Sequence, residues 1–345
     1  MDGRPNLFGL DGDQLRGHLG AYAVPAYHGA QVYRWMYGRG CLRPGEWTDL
    51  PRTLRERLQD DVRVHPGAIS DRAEATDGTV KYRIELEDGR SVEAVYMEQA
   101  GRVTLCLSSQ VGCALACDFC LTGKMGLLRH LQAGEILGQL ALIRADKKLD
   151  ESFNVVFMGM GEPLHNYDGV VAAFRILTDA DGYGLSRRRV TVSTSGMVPA
   201  IERLAHEPVR PRLAVSLNAT TDALRDRLMP INRKYPIARL LEACRTYASR
   251  TGEKFTLEYV LLAGVNDTDG DVARLAGIAR RAGAKVNLIP FNPVPGRLPY
   301  EPPRRGRAVE IRDRLLAEGT AVSIRWSRGA DARAACGQLA LLAGD

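Results

Sequence analysis

The chain has 345 residues and a formal net charge of +6, and 45% of its residues are hydrophobic while 26% are charged. These values are typical of a globular protein with one large domain and an appendage, or with two domains. The sequence has no apolar run of about 18 residues and no signal-peptide core, which argues against a membrane or secreted protein, so we expect a cytoplasmic one.

Residues 1–65 are predicted to form a small helical domain. Asp11 begins a first helical segment, residues 31–37 form a second and residues 54–58 a third. Gly and Pro residues separate these segments, as expected at helix ends.

Residues 66–100 are predicted to form an antiparallel β region. Apolar residues there recur with a period of two, and Asp-Gly pairs at 77–78 and 88–89 mark turns between strands. This region links the helical domain to the rest of the chain.

Residues 101–325 show six short apolar runs that alternate with amphipathic segments. The runs are Val103–Leu107, Asn154–Phe157, Val190–Ser193, Leu213–Leu217, Thr256–Leu262 and Val286–Pro290, and the helix-like segments include Ala133–Arg144, Tyr167–Leu177, Ile237–Ser249 and Asp271–Arg281. This order predicts an α/β fold with a parallel sheet curved into a full or partial barrel. Functional residues of such barrels lie at the carboxyl ends of the strands.

Three cysteines follow the first of these strands directly. Cys113, Cys117 and Cys120 have the spacing CxxxCxxC. Three thiolates can hold three irons of a 4Fe-4S cluster and leave the fourth iron open for a ligand. Zinc is the competing interpretation, although structural zinc sites need four N or S ligands. A disulfide framework is a third interpretation. It is disfavoured because seven cysteines in 345 residues are few for a disulfide-stabilised protein.

Small polar residues follow several later strands. Glu162 lies in the glycine-rich run 157–164, where glycines let a ligand approach the backbone. Ser193, the run 216–218 and Asn292 lie at three further strand ends. Each alone is more typical of a turn or helix cap. Together they predict a lined pocket.

These elements resemble the radical S-adenosylmethionine enzymes and, more narrowly, the RlmN/Cfr family of RNA adenine methyltransferases. The resemblance rests on the motifs at 108–113, 159–164, 229–236 and 335–338 and extends over essentially the whole chain. It implies a partial (β/α)6 barrel, with residues 326–345 as a C-terminal segment.

The resemblance also implies roles for individual residues. Cys113, Cys117 and Cys120 would hold the 4Fe-4S cluster, one per chain. The expected S-adenosylmethionine contacts are Gly161, Glu162, Ser193, Ser216, Leu217, Asn218 and Asn292. Many relatives have His where this chain has Asn218, which leaves the role of that side chain open.

Three further residues are implied to act on the substrate. Cys336 would carry a methyl group, Cys106 would resolve the covalent adduct with RNA, and Glu93 would accept a proton. Without the resemblance, Cys106 and Cys336 have a second interpretation as small buried hydrophobic residues, which is also what we expect of Cys41 and Cys244.

The implied activity is methylation of adenine carbon 2 in 23S rRNA and some tRNAs, with two S-adenosylmethionine molecules consumed per methylation. The expected partners are both RNAs, an electron donor such as flavodoxin or ferredoxin with its reductase, and a thiol reductant. We expect no membrane partner and a monomer. The alternatives are adenine carbon 8 methylation and, from another class, a non-catalytic RNA-binding iron-sulfur protein of ribosome assembly.

The RNA contacts expected from the sequence are mostly basic. The basic candidates are Lys124, Arg129, Arg187–Arg189, Arg304–Arg307, Arg325 and Arg328, and the helical domain adds Arg34, Trp35 and Tyr37. All of these could equally be ordinary surface or packing residues.

Overall fold

Three helices form the N-terminal part of this computed structural model, which describes residues 3–149 and 153–340. They are α1 (Gly12–Gly20), α2 (Tyr27–Tyr33), which a π-helical turn over Arg34–Gly38 extends, and α3 (Arg52–Asp61). The Asp11 carboxylate accepts the N–H of Gln14 at 2.9 Å, and the Gln14 side chain accepts the N–H of Asp11 at 2.9 Å. This reciprocal cap starts α1 where the sequence predicted it.

Most strands of the structure belong to one continuous sheet. The strands are β1 (Ala68–Glu74), β2 (Val80–Glu85), β3 (Ser91–Gln99), β4 (Arg102–Cys106), β5 (Gln110–Cys113), β6 (Gly126–His130), β7 (Asn154–Phe157), β8 (Val190–Thr194), β9 (Arg212–Ser216), β10 (Thr256–Leu261), β11 (Lys285–Pro290) and β12 (Val322–Ile324). In the described residues, ten of them form a sheet in the order β1-β2-β3-β4-β7-β8-β9-β10-β11-β12, and β5 pairs with β6 separately.

The remaining helices follow the strands. They are α4 (Leu121–Lys124), α5 (Ala133–Lys147), α6 (Tyr167–Thr178), α7 (Val198–Leu204), α8 (Asp222–Leu228), α9 (Ile237–Thr251), α10 (Asp269–Ala282) and α11 (Arg305–Ala317). Short 3-10 turns occupy Pro44–Glu46, Arg187–Arg189 and Pro230–Arg233. Within the described ranges, none of the helices is both long enough and apolar enough to cross a bilayer.

All pairings from β4 through β7 to β12 are parallel, so the carboxyl ends of these strands meet at one rim. The six predicted strands and the α/β partial barrel are confirmed. The sequence did not predict β12, which has three residues, or the β5–β6 hairpin that carries Cys113.

The antiparallel strands β1 to β3 extend the barrel sheet, because β3 pairs with β4. Cys106 lies opposite Val95 of β3 on one side and Val156 of β7 on the other. Sheet pairing therefore fixes the position of Cys106 from both sides. The division into domains at residues 65, 100 and 325 stays a prediction, and residues 341–345 of the C-terminal segment lie outside the described residues.

Candidate active site

The three spaced cysteines lie together at the rim of the barrel. Cys113 ends β5, whereas Cys117 and Cys120 precede α4. Burial raises the pKa of Cys113 to about 12 and also raises the pKa of the other two. The charges of Cys120 and Cys113 raise the pKa of Cys117 further, because the three thiols lie close together. A bound metal is therefore needed to hold these groups as thiolates.

This loop fits a cluster better than a single ion. No three Cys, His, Asp or Glu side chains among residues 3–149 and 153–340 converge as the ligands of one ion would. In a cubane cluster each thiolate binds a different iron, so the three sulfurs stay apart by the width of the cluster. The three enclosed thiols provide enough ligands for a 4Fe-4S cluster with one iron open, and one fewer than the four ligands that structural zinc takes.

A cavity of about 150 Å³ opens beside the cysteine loop. The predicted cofactor residues that line it are Gly161, Glu162, Ser193, Ser216, Asn218 and Asn292, together with Cys117 and Cys120. Leu217 is the exception: it is fully buried, and its N–H donates to the carbonyl of Glu258 at 2.9 Å. The structure thus brings all but one of the predicted cofactor residues to a single cavity.

The loop after β7 carries Gly161 and Glu162 into this cavity. Gly161 has a φ of +100°, and a Cβ there would lie 2.5 Å from the Cβ of Gln110, so only glycine fits. The Glu162 carboxylate accepts the N–H groups of Leu164 at 3.0 Å and Ser195 at 2.8 Å. Burial raises the pKa of Glu162, whereas these hydrogen bonds lower it. The carboxylate joins this loop to the end of β8 and lines the cavity.

Asn218 has a structural reason to be asparagine. Its φ is +55°, a left-handed conformation that Asn adopts more readily than most residues. Its Oδ1 accepts the N–H of Val260 at 2.8 Å, and its Nδ2 donates to the sulfur of Met229 at 3.3 Å. The side chain therefore links the end of β9 to β10 in the wall of the cavity.

A second cavity of about 630 Å³ contains both Cys106 and Cys336. Cys106 is buried at the end of β4, and Cys336 lines the smaller cavity as well. Burial, together with the neighbouring Cys336, raises the pKa of Cys106 to about 12. The Asn292 amide donates to the carbonyl of Cys336 at 2.9 Å, which anchors the C-terminal segment next to β11. Cys336 therefore connects the two cavities.

Glu93 lies outside both cavities. Its carboxylate is 2% exposed, with Oε1 2.8 Å from the Lys81 ammonium and Oε2 accepting the N–H of Ala340 at 2.9 Å. Burial raises the pKa of Glu93, whereas Lys81 lowers it. Leu339, the residue before Ala340, lines the larger cavity, whereas Glu93 does not.

Two buried residues that support the rim were missed as functional positions. The Ser108 hydroxyl donates to the carbonyl of Glu93 at 2.5 Å and accepts the N–H of Met160 at 2.8 Å. The Gln110 side chain accepts the N–H of Glu162 at 2.7 Å. The sequence feature that could have identified them is the polar run 108–110, which lies between a strand and the first cluster cysteine.

Arg225 was also missed, although it joins two strand ends. Its guanidinium is fully buried and donates to the carbonyls of Ser195 at 2.7 Å, Ser216 at 2.9 Å and Leu217 at 3.0 Å. Burial lowers the pKa of Arg225 to about 10, so the group stays charged at neutral pH. The charged fork holds the ends of β8 and β9 in place.

We expect Arg225→Met to lower the free energy of unfolding by about 3 kcal/mol, because three buried carbonyls lose their charged donor. Arg227→Met on the exposed side of the same helix is the matched control. Urea unfolding of the anaerobically purified proteins measures both. Equal midpoints for the two variants would contradict this role.

Most basic residues considered for RNA form ion pairs within the chain. The pairs are Arg187 and Arg188 with Glu253, Lys124 with Asp118, Arg129 with Glu135, Arg307 with Asp269, and Arg328 with Asp77. Tyr37 is fully buried and packs the helical domain, so it is not available to RNA. Arg325 and Arg328 line the larger cavity.

Two family descriptions match separate parts of the sequence. Residues 107–276 match the radical SAM superfamily, and residues 5–64 match the ribosomal RNA large subunit methyltransferase N-terminal domain. The first match covers the cysteine loop and the rim residues up to β10.

Full-length relatives agree with these matches. The dual-specificity RNA methyltransferase RlmN of Anaeromyxobacter dehalogenans is 46% identical over 98% of this chain and 92% of its own length. The Geobacter sulfurreducens protein of the same name is 46% identical over 98% of this chain and 93% of its own. The crystal structure of a radical SAM methyltransferase from Sphaerobacter thermophilus superposes with a TM-score of 0.91 at 42% identity, covering 97% of this chain and 99% of that one. This chain therefore belongs to the RlmN family of radical SAM RNA methyltransferases.

Proposed function

We propose that this RNA methyltransferase modifies carbon 2 of one adenosine in the peptidyl transferase centre of 23S rRNA and of the adenosine 3′ of the anticodon in some tRNAs. We further propose that Cys336 carries the methyl group. The supporting observation is that Cys336 lines both the cavity beside the cysteine loop and the larger cavity with Cys106. A methyl group on this sulfur can be activated on one side and meet a base on the other.

A protein-bound methyl group suits the chemistry of the target. Carbon 2 of adenine is electrophilic, so direct transfer from a sulfonium is unsuitable. When bound, the cluster and two molecules of S-adenosylmethionine supply the methyl group and a 5′-deoxyadenosyl radical. Cys336 accepts the methyl as a nucleophile, loses one hydrogen atom from it, and adds to the base through the resulting carbon radical.

Cys106 is the residue proposed to release the product. Its thiolate attacks the sulfur of Cys336, so that an S–S bond forms and the C–S bond to RNA breaks. The electron pair of that bond goes to the methylene carbon, which takes up a proton and becomes the methyl group. A thiol reductant then reopens the disulfide.

After the carbon radical has added to the base, the adduct has to lose one electron and the proton on carbon 2. The electron would return to the bound cluster, which supplies one for the cleavage of S-adenosylmethionine, and Glu93 is the proposed acceptor of the proton. Lys81 favours its ionised form. In this proposal RNA binding releases the hydrogen bond from the N–H of Ala340, which occupies the carboxylate in this structure.

The mouth of the larger cavity suits a flipped base. Arg102 and Arg328 line it, and Trp326 beside them is 37% exposed with the Arg305 guanidinium 4.7 Å above its ring. Adenine inside a stacked helix is out of reach, so it has to leave the stack. An aromatic ring flanked by arginines is a suitable platform for unstacked nucleotides.

The remaining partners follow from the same proposal. Reductive cleavage needs an electron donor, for which flavodoxin or ferredoxin with its reductase is suitable. Residues 1–65 are proposed as an additional RNA contact. We propose a monomer that acts in the cytoplasm, where its RNA substrates and a reducing thiol pool are found.

Anaerobic turnover with 23S rRNA fragments and tRNA is expected to give 2-methyladenosine. Each methylation should consume two S-adenosylmethionine molecules and yield one S-adenosylhomocysteine and one 5′-deoxyadenosine. Mass spectrometry of the nucleosides measures both quantities. Formation of 8-methyladenosine would contradict the carbon 2 assignment, and methylated RNA without 5′-deoxyadenosine would contradict the radical route.

A further inference from the structure

The Gln110 side chain joins the loop of Glu162 to two histidines. Gln110 is fully buried, and its Oε1 accepts the N–H of Glu162 at 2.7 Å. Its Nε2 lies 2.9 Å from Nδ1 of His130 and 3.4 Å from Nδ1 of His165. One amide group thus contacts the predicted cofactor loop on one side and two imidazoles on the other.

The N–H of Glu162 fixes the orientation of this amide. A backbone N–H can only donate, so the oxygen of Gln110 has to face Glu162 and the NH2 group has to face the imidazoles. The NH2 group of an amide donates and does not accept, so each Nδ1 has to be an unprotonated acceptor. Both rings are therefore neutral in this arrangement, with their protons on Nε2.

Neighbouring hydrogen bonds hold the two rings around Gln110. The buried amide of Asn166 donates to the carbonyls of Ser109 and Leu131, both at 2.7 Å. It thereby joins the start of β5, the end of β6 and the loop after β7, which carry Gln110 and the two histidines. The two imidazoles meet edge to face, with ring centroids 5.0 Å apart. The segments that carry the rings are thus joined by contacts that do not depend on the charge of the rings.

Protonation of either ring at Nδ1 would place a donor against the NH2 group of Gln110. The amide relieves this contact by turning its oxygen toward the imidazole, and its NH2 group then faces the N–H of Glu162. In that orientation the hydrogen bond to Glu162 is lost, and a buried N–H is left without its acceptor. The position of the Glu162 loop therefore depends on the protonation state of the two histidines.

On the basis of the function proposed above, in which S-adenosylmethionine binds beside Glu162, we propose that His130 and His165 are positioning residues for this cofactor. As neutral imidazoles they hold Gln110 in the orientation that fixes the Glu162 loop. Their protonation releases the loop and weakens the binding of S-adenosylmethionine. His130 has the shorter contact with Gln110 and should contribute more.

The pH range of this effect follows from the surroundings of His130. Burial and the neighbouring His165 lower the pKa of His130. Both favour the neutral ring, so the contribution of His130 is complete at neutral pH. It is lost as the pH falls below about 6.5, the usual pKa of histidine.

The other charged groups around His130 are already compensated. The titratable and charged residues that line a cavity of about 580 Å³ together with His130 are His65, Glu87, Asp88, Arg129 and Glu135. Each carboxylate of this set forms an ion pair with an arginine. On the loop after β7, the Glu162 carboxylate accepts the N–H groups of Leu164 and Ser195.

The first test determines the state of the two rings without turnover. In the anaerobically purified holoprotein with ¹⁵N-labelled histidine, long-range ¹H–¹⁵N NMR at about pH 7.5 should show both rings with the proton on Nε2. His130 should take up its second proton below about pH 6.5. The variants His130→Asn and His165→Asn assign the two signals. A proton on Nδ1 of His130 at about pH 7.5 would overturn the proposal.

The second test measures the dissociation constant of S-adenosylmethionine by equilibrium dialysis against the holoprotein. The probe is the double variant His130→Asn with His165→Asn, because Oδ1 of Asn and Nδ1 of His are bonded to the same carbon and Oδ1 accepts at any pH. At about pH 8 the wild type and the double variant should bind equally. At about pH 5.5 the double variant should bind about fivefold more tightly, since the N–H of Glu162 keeps its acceptor. The cofactor amine titrates in both cases, so the ratio isolates the imidazoles.

Two controls accompany this measurement. His206→Asn changes an exposed histidine whose ring contacts the carbonyl of Glu202 at 2.9 Å, and it should keep the wild-type pH profile. Gln110→Met should weaken binding at every pH, and adding the two histidine changes to it should have no further effect. Identical pH profiles for the wild type and the double variant would overturn the proposal. Absence of binding by the wild type at every pH would instead mark failure of the function proposed above, whereas the NMR result does not depend on the cofactor.

Discussion

Cys106→Ala is expected to trap the enzyme on its RNA after a single round. The variant keeps Cys336, so the sulfur still accepts a methyl and the carbon bond to adenine still forms. Release needs a second thiolate, and Cys106 is the other cysteine that lines the larger cavity with Cys336. Covalent protein–RNA complex should therefore accumulate to about one equivalent while free methylated RNA stays near background. Denaturing gel electrophoresis and mass spectrometry of the crosslinked peptide measure this.

Two controls separate this expectation from a loss of stability. Cys336→Ala removes the carrier and should give no crosslink and no methylated RNA. Cys244→Ala truncates a cysteine that is also buried but lies in the core away from the cavity. It should cost on the order of 1 kcal/mol of stability and leave multiple turnover intact. A Cys106→Ala protein that releases methylated RNA at the normal rate would remove Cys106 from the mechanism.

Replacing any one of Cys113, Cys117 or Cys120 by Ala should remove the cluster and all activity. With two thiolates, the loop cannot hold three irons of a cubane, and the enclosed thiols return to their neutral form because burial raises their pKa. We expect brown wild-type protein with about four irons per chain and variants without iron or 5′-deoxyadenosine formation.

Iron and sulfide analysis with visible spectroscopy after anaerobic purification checks the cluster directly. Cys41→Ala is the matched control, because Cys41 lies in the helical N-terminal part and its sulfur donates to Glu46 at 3.4 Å. This control should keep both iron and activity. Stoichiometric zinc without iron in the wild-type protein would refute the cluster assignment.

The strands of the barrel could be predicted because their pattern is local. Asn154–Phe157 was predicted with the bounds the structure gives, and Val286–Pro290 was one residue short at its start. Short apolar runs bounded by turn residues and followed by amphipathic helices need no distant contact to be recognised. Shorter elements carry less of this signal, which is why the three residues of β12 were missed.

In the candidate site, too, the residues with a local pattern could be predicted and the residues brought together from distant segments could not. The spacing of Cys113, Cys117 and Cys120 is local, so the sequence alone predicts three ligands on one loop. The resemblance added Cys336 and Cys106, which are 230 residues apart (336 − 106). No local pattern brings these two sulfurs to one cavity; sheet pairing of β4 and the hydrogen bond from Asn292 to Cys336 do.

Other roles were decided by the tertiary structure alone. Arg325 was one of several arginines considered for phosphate contact; it lines the larger cavity together with Cys106 and Cys336, whereas Arg187 and Arg188 pair with Glu253. Arg225 gave no signal in the sequence, since one arginine in an amphipathic helix does not reveal which carbonyls it meets.

The sequence by itself thus determined the α/β order of elements, the cluster loop and, through resemblance, the cysteine chemistry. Only the tertiary structure decided which residues line the larger cavity with the two thiols, that Leu217 is not part of the lining of the cofactor cavity, and that the Glu93 carboxylate contacts Lys81 and the N–H of Ala340. The physical reason is that periodicity and ligand spacing are local properties of the chain. Burial, charge pairing and the joining of cavities depend on segments that meet only after the sheet has closed.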